Sequence, residues 1–284
     1  MAWPERIVES FEAFVDELVD LLPSTSSGNQ LYWFRGQGDQ GWGLETSLKR
    51  CLPSVGLSIP HVREIEEESR RAFRSVAHLH VSPQLLAKVF TTPCWWSLMQ
   101  HHGAPTRLLD WTVSPYVAAY FAVQQIGSKE AGAVWCFCSN ILRERSQKIV
   151  GEPPDFDAKG AAEWYAAKLE RHQNRNIVLP LEFPLASSER CAAQQGRFTM
   201  CFQPLIDHNC LIQQMLPKYV RKLIIPNHKK PEFLLRLREM NITGSALFPG
   251  VDGLGQSVRE LVNLRAHYRL KTVPLVGALP ASAP

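Results

Sequence analysis

Three short stretches of this 284-residue chain hold the residue types from which phosphate binding and group transfer are built. The densest is the 22-residue run 100–121, which gathers His101, His102, Thr106, Arg107, Asp110, Trp111, Thr112 and Tyr120 between two helical patterns. A loop held at both ends by helices keeps such side chains in place. Within the run, Ser114-Pro115 supplies an N-cap and a first-turn proline, and the N–H groups of a helix start attract anions. The second stretch is Phe34-Arg35-Gly36-Gln37, with Trp42, Leu44 and Arg50 downstream. A guanidinium fork grips phosphate bidentately, and glycine lets a ligand approach the backbone. The third, residues 190–199, sets Gln194 and Gln195 just before a strand, where amides bind ribose hydroxyls or close a turn. Each stretch also has a plain structural use. Arg107 and Asp110 would form a salt bridge that fixes the loop, His101 and His102 would cap a helix or bury an imidazole, and Arg35 would pair with a carboxylate such as Asp110.

The elements that must position these groups follow from periodicity. Phe11, Phe14, Val15, Leu18 and Leu22 have helical spacing, which predicts a helix over 8–22 broken by the Pro-Ser-Gly loop 23–28. Leu31-Tyr32-Trp33-Phe34 reads as a short strand that ends in a turn, with Arg35 at its terminus. A charged stretch over 60–87 predicts a solvated helix with Glu–Arg pairs. A helix opening at Pro93 ends at His101-His102-Gly103, and a second starts at Ser114. Strands are predicted over 133–138, 177–183, 197–202 and 218–225, and helices over 161–170, 231–240 and 257–270, the last after the Gly- and Pro-rich turn 248–253. The layout predicts an N-terminal helix and loop over 1–28, one α+β domain over 29–271 and a flexible tail over 272–284.

Composition narrows the class. With 45% hydrophobic and 20% charged residues the chain is globular, and no run reaches the roughly 18–20 apolar residues of a membrane helix. The first residues lack a signal-peptide pattern, so a cytoplasmic protein is expected. The seven cysteines lack paired metal-site spacing and read as reduced, mostly buried thiols. No H-E-x-x-H, aspartate pair or Cys/His quartet supports a nuclease or metal hydrolase, and no metal is expected. Charge is uneven: residues 217–271 hold 11 Lys and Arg against 4 Asp and Glu, or +7, against −3 for the rest. That third, with Lys218, Arg221, Lys222, Lys229 and Lys230 close together, either guides an RNA or DNA acceptor or is a dispersed solvated surface.

Phe34-Arg35-Gly36, the 100–121 run, the 190–199 segment and Leu247-Phe248-Pro249-Gly250-Val251-Asp252-Gly253 occur in that order, and together they resemble the FRG-domain family over about residues 25–265. The order is also similar to that of mono-ADP-ribosyltransferases: an Arg or His on an early strand, a Ser/Thr strand running into a helix, and a late-strand acidic or amide residue. Arg35, the 106–120 stretch and Gln194 or Gln195 would fill those slots. The resemblance implies an α+β fold with an ADP-ribosyltransferase-like split sheet core and peripheral helices. It further implies NAD as co-substrate, with Arg35, Gln194 and Gln195 as catalytic residues and Arg35, Gly36, His101, His102, Thr106, Arg107, Asp110, Trp111, Thr112 and Tyr120 as the NAD-binding set. The activity implied is that of a toxin or antiphage effector that modifies nucleic acid or protein, with an antitoxin or other protein partner. The late slot departs from the pattern, since glutamine binds ribose but cannot act as a general base; Glu182 and Glu189 are the nearby carboxylates. The alternative is a non-catalytic module that senses a nucleotide or nucleic acid in the same cleft.

Overall fold

The computed structural model describes residues 3–21, 31–53, 56–183 and 189–268. In chain order its elements are β1 (Glu5–Ile7), α1 (Phe11–Leu21), β2 (Tyr32–Gln37), α2 (Ser47–Cys51), α3 (Ile59–Ala77), α4 (Pro83–Leu86), α5 (Thr92–His101), β3 (Leu108–Thr112), α6 (Pro115–Val123), β4 (Gly132–Cys138) and α7 (Ser139–Val150). They continue with α8 (Ala161–Arg171), β5 (Val178–Leu181), α9 (Glu189–Ala193), β6 (Gly196–Cys201), α10 (His208–Met215), β7 (Val220–Ile225), α11 (Lys230–Glu239), α12 (Gly244–Leu247) and α13 (Val251–Tyr268). The expected loop 23–28 and tail 272–284 lie outside the described residues, as do Leu22 and positions 269–270 of the expected helices.

The seven strands form one mixed sheet in the order β1-β7-β4-β2-β3-β6-β5, with β1 parallel to β7 and every other pair antiparallel. The fold is α+β. The core is a single sheet rather than two, but its centre is thin. β2 and β4 pair over six residues and β3 and β6 over five, whereas β2 and β3 share one paired position, Phe34 opposite Thr112. Alternation places Tyr32, Phe34, Val134, Cys136 and Cys138 against α1, α6 and α11. On the same sheet face, Leu108, Phe198 and Met200 pack instead with α5 and α8 around Trp96, Met99 and Tyr165. The opposite face holds a third cluster, with Trp3, Trp33, Trp111, Trp135 and Phe137 packed against α7 and α10.

Several differences from the sequence reading have local causes. β2 continues three residues past Phe34, so Arg35 sits within a strand and not at a turn. Gly36 serves helix packing: a Cβ there would overlap the Ala118 carbonyl of α6, and Gly132 on β4 meets Ala122 in the same way. The 60–87 helix ends at Ala77 and resumes at α4, because Ser82-Pro83 starts a new helix with the Ser82 hydroxyl accepting from Leu85 N. Helix α13 begins at Val251, six residues earlier than expected, and takes up part of the Gly- and Pro-rich turn. The run expected to be a loop contains strand β3.

Candidate functional site

Arg35 is carried by β2 into the gap where β2 and β3 part. Its Nη1 donates to the Asp110 carbonyl at 2.8 Å and lies 3.7 Å from Asp110 Oδ2. The side chain is 18% exposed, and its Nε is buried without a hydrogen-bond partner. Burial draws the Arg35 pKa down, against the pull of Asp110. On β6, Arg197 repeats the pattern: it is 17% exposed, its Nη1 donates to Gly196 O at 2.9 Å, and its Nε is buried with no acceptor in hydrogen-bond range, the nearest carboxylate being Glu182 at 3.6 Å.

Both arginines line a cleft of about 280 Å³ that opens over the β2–β3 junction. Phe34, Gly36, Trp111, Thr112, Phe121 and Phe198 give it an apolar floor and walls, and Ser97, Gln100, His101, Asp110, Arg190 and Gln194 give it polar groups. Asp110 supplies the carboxylate of this lining and is 58% exposed. Its orientation is set by a short relay. The Thr106 hydroxyl accepts from Leu108 N and donates to Gln100 Oε1, so the Gln100 NH2 faces Asp110 Oδ1, to which it donates at 2.7 Å. The far wall is tied to α12. Gln194 Nε2 donates to Leu247 O at 3.1 Å, and the Arg190 guanidinium lies 4.9 Å from the Phe248 ring centroid. Beneath the cleft, Trp111 Nε1 donates to Thr199 Oγ1 at 2.8 Å, and Thr199 Oγ1 lies 2.7 Å from His208 Nδ1. His208 is fully buried; burial first, then the Arg35 charge, lowers its pKa to about 3, so the ring is neutral.

The residues named from sequence therefore divide. Arg35, Gly36, His101, Asp110, Trp111, Thr112 and Gln194 all line the cleft. His102 stands exposed beside it, with its ring centroid 4.9 Å from that of His101. Thr106 is buried and serves the relay. Arg107 pairs with Glu66 and not with Asp110, donates to Phe202 O at 2.8 Å, and lies 4.8 Å from the Trp96 centroid. Tyr120 is buried and donates to Glu260, whose carboxyl also accepts from Gly244 N at 3.1 Å. Gln195 is exposed at a positive-φ turn, so of the two amides Gln194 alone faces the cleft. Sequence reasoning passed over Gln100, Arg190 and Arg197. The last is the one with a signal, since alternation along β6 opposite Trp111 places a charged residue in a half-buried position.

Of the two readings of the basic C-terminal third, a patch or dispersed charges, the five neighbouring cations follow the second. Lys222 and Lys230 are buried, the first on Glu5 at 2.8 Å and the second donating to Gly38 O at 2.7 Å. Arg221 pairs with Glu17 and Lys229 with Glu232, leaving Lys218 as the exposed member of the five. Among the described residues no group of three or more His, Cys, Asp or Glu is placed to hold a metal ion, and no helix is long and apolar enough to cross a membrane.

The family model described as FRG domain matches residues 30–131. This segment of the chain matches the FRG domain. The matched segment contains β2, β3, α5 and α6, and so brings Arg35, Gln100, His101, Asp110, Trp111 and Thr112 to the cleft from within the FRG domain. Arg190, Gln194 and Arg197 come from beyond it, short of the 25–265 extent that the motifs suggested. Comparison with curated proteins and with solved structures finds no match.

Proposed function

We propose that the cleft binds a phosphate-bearing nucleotide and that the protein uses NAD as a donor of ADP-ribose. The observation that carries this reading is the pair of cleft arginines, Arg35 and Arg197, each holding a buried Nε–H without an acceptor. A buried donor left unpaired costs about 1–3 kcal/mol, more when charged, and a pyrophosphate would supply acceptors to both. Arg190 adds a third positive charge, and the half-buried Phe121 offers a ring for nicotinamide or adenine to stack on. In the transfer, the bond between ribose C1′ and the nicotinamide nitrogen breaks, and the electron pair leaves with nicotinamide. The acceptor nucleophile then bonds to C1′. Asp110 is the group placed to stabilise the oxocarbenium charge and to take the acceptor's proton, a role the late-strand glutamine cannot fill.

The non-catalytic reading, nucleotide sensing in the same cleft, draws on Gln194, whose NH2 is already committed to Leu247 O. Incubation of the pure protein with NAD, followed by mass spectrometry of released nicotinamide, separates the two. Transfer predicts release that falls by roughly a hundredfold in Asp110→Asn while nucleotide binding persists. Binding without release in the wild type would favour sensing, and absence of both would overturn the cleft assignment.

A further inference from the structure

We propose that the outer surface of α3 and α5 is a platform for single-stranded polynucleotide that leads into the cleft, and hence that the acceptor of the transfer is a nucleic acid. The word acceptor rests on the reading above; the binding surface stands on its own observations. Residues 69–109 contain five Lys or Arg and no Asp or Glu; Arg70 and Arg71 pair with Glu67 and Arg107 with Glu66, which leaves Arg74 and Lys88 for phosphate. Within it Arg74 is exposed, meets no carboxylate among the described residues, and holds its guanidinium 5.0 Å from the Trp95 ring centroid on α5. Its neighbour Phe73 stacks on His102 at 6.5 Å with 28° between the planes. His102 meets His101 edge-on, and His101 lines the cleft.

The series Trp95–Arg74, Phe73–His102, His101 thus runs from the body of α5 to the cleft mouth as a row of rings with one guanidinium among them. Nucleobases stack on aromatic rings and on guanidinium planes whatever their sequence, and a single strand keeps those faces available where a duplex does not. His101 adds a neutral ring, because burial, then the charges of His102 and Arg190, lower its pKa. What sets this surface apart from the C-terminal third is the exposed Arg74 beside an aromatic ring, since paired or buried cations occur in both.

The test is fluorescence anisotropy of labelled oligo-U, oligo-dT and a DNA duplex with the full chain, at low and at physiological salt. The single strands are expected to bind more tightly than the duplex and to weaken as salt rises. Arg74→Glu and Trp95→Ala should each cost roughly tenfold in affinity, while Lys218→Glu should change it less than about twofold. If Trp95→Ala fails to fold by circular dichroism, the exposed Arg74 variant carries the test. Absence of strand binding at low salt overturns the proposal, as does equal weakening by Lys218→Glu. Poly-glutamate competing as well as the strands would mean recognition of charge alone, as by an acidic protein, and also overturns it. ADP-ribose binding measured on the same samples keeps the two readings apart: strand binding without ADP-ribose binding overturns the cleft reading alone, and the reverse overturns the platform alone.

Discussion

Arg107 and Arg35 stand in the two halves of the same sheet, and the contrast between them locates the site. Arg107, on the α5 side, is 2% exposed and fully engaged: Glu66 takes its Nε and Nη2, the Phe202 carbonyl takes Nη1, and Trp96 lies against its plane. Arg35, in the gap between β2 and β3, makes one hydrogen bond to a carbonyl and keeps an unpaired buried Nε. A guanidinium with every donor used holds a fold together. On the proposed reading, one left partly unused beside a cleft is a contact for an anion, and so is Arg197, whose Nε faces Glu182 at 3.6 Å without a hydrogen bond.

The largest test of that contrast is to break the engaged pair. Glu66→Ala leaves the Arg107 charge buried without its partner and should cost about 3–5 kcal/mol in urea unfolding, while Arg35→Lys should change stability by less than about 1 kcal/mol. A Glu66 variant of near wild-type stability would remove the structural half of the comparison. Next in size is a pH effect. Folded His208 has a pKa near 3 against 6.5 in the unfolded chain, so below 6.5 the unfolded state binds the extra proton. Its contribution is complete above pH 6.5 and is lost as pH falls toward 3, by about 1.4 kcal/mol per unit. His208→Gln should flatten this slope between pH 6 and 4; an unchanged slope would mean the ring already carries its proton when folded. The smallest effect concerns α6, which packs on Gly36 below the cleft. The Ser114 hydroxyl accepts from Val117 N at 3.3 Å, and Ser114→Ala should cost about 1 kcal/mol in thermal unfolding.

Much of the scaffold was legible because local rules were strong. Ser114-Pro115 marked the start of α6 to the residue, and the Val-, Ile- and Phe-rich strands β4, β6 and β7 fell within two residues of their bounds. β3 was hidden because Asp110 and Thr112 gave it the composition of a loop; its apolar alternates, Leu109 and Trp111, are what bury against the opposite sheet face. The motifs identified Arg35, Asp110 and Trp111 as cleft residues, but local spacing could not say that Arg107, the single arginine of the run, would be used up internally. Glu66 lies 41 residues from Arg107, and only the packing of α3 against α5 brings them together. The charge asymmetry of the C-terminal third left a patch and a dispersed surface both open for the same reason, since Glu5 and Glu17, which neutralise Lys222 and Arg221, come from the other end of the chain.

The central claim is that unpaired guanidinium donors in the cleft are the ligand's contacts, and arginine side-chain NMR tests it most directly. In a titration of the full chain with ADP-ribose, the Nε–H signals of Arg35 and Arg197 should move together to saturation while that of Arg107 stays in place. Unmoved Arg35 and Arg197 signals, or equal shifts at Arg107, would contradict the account.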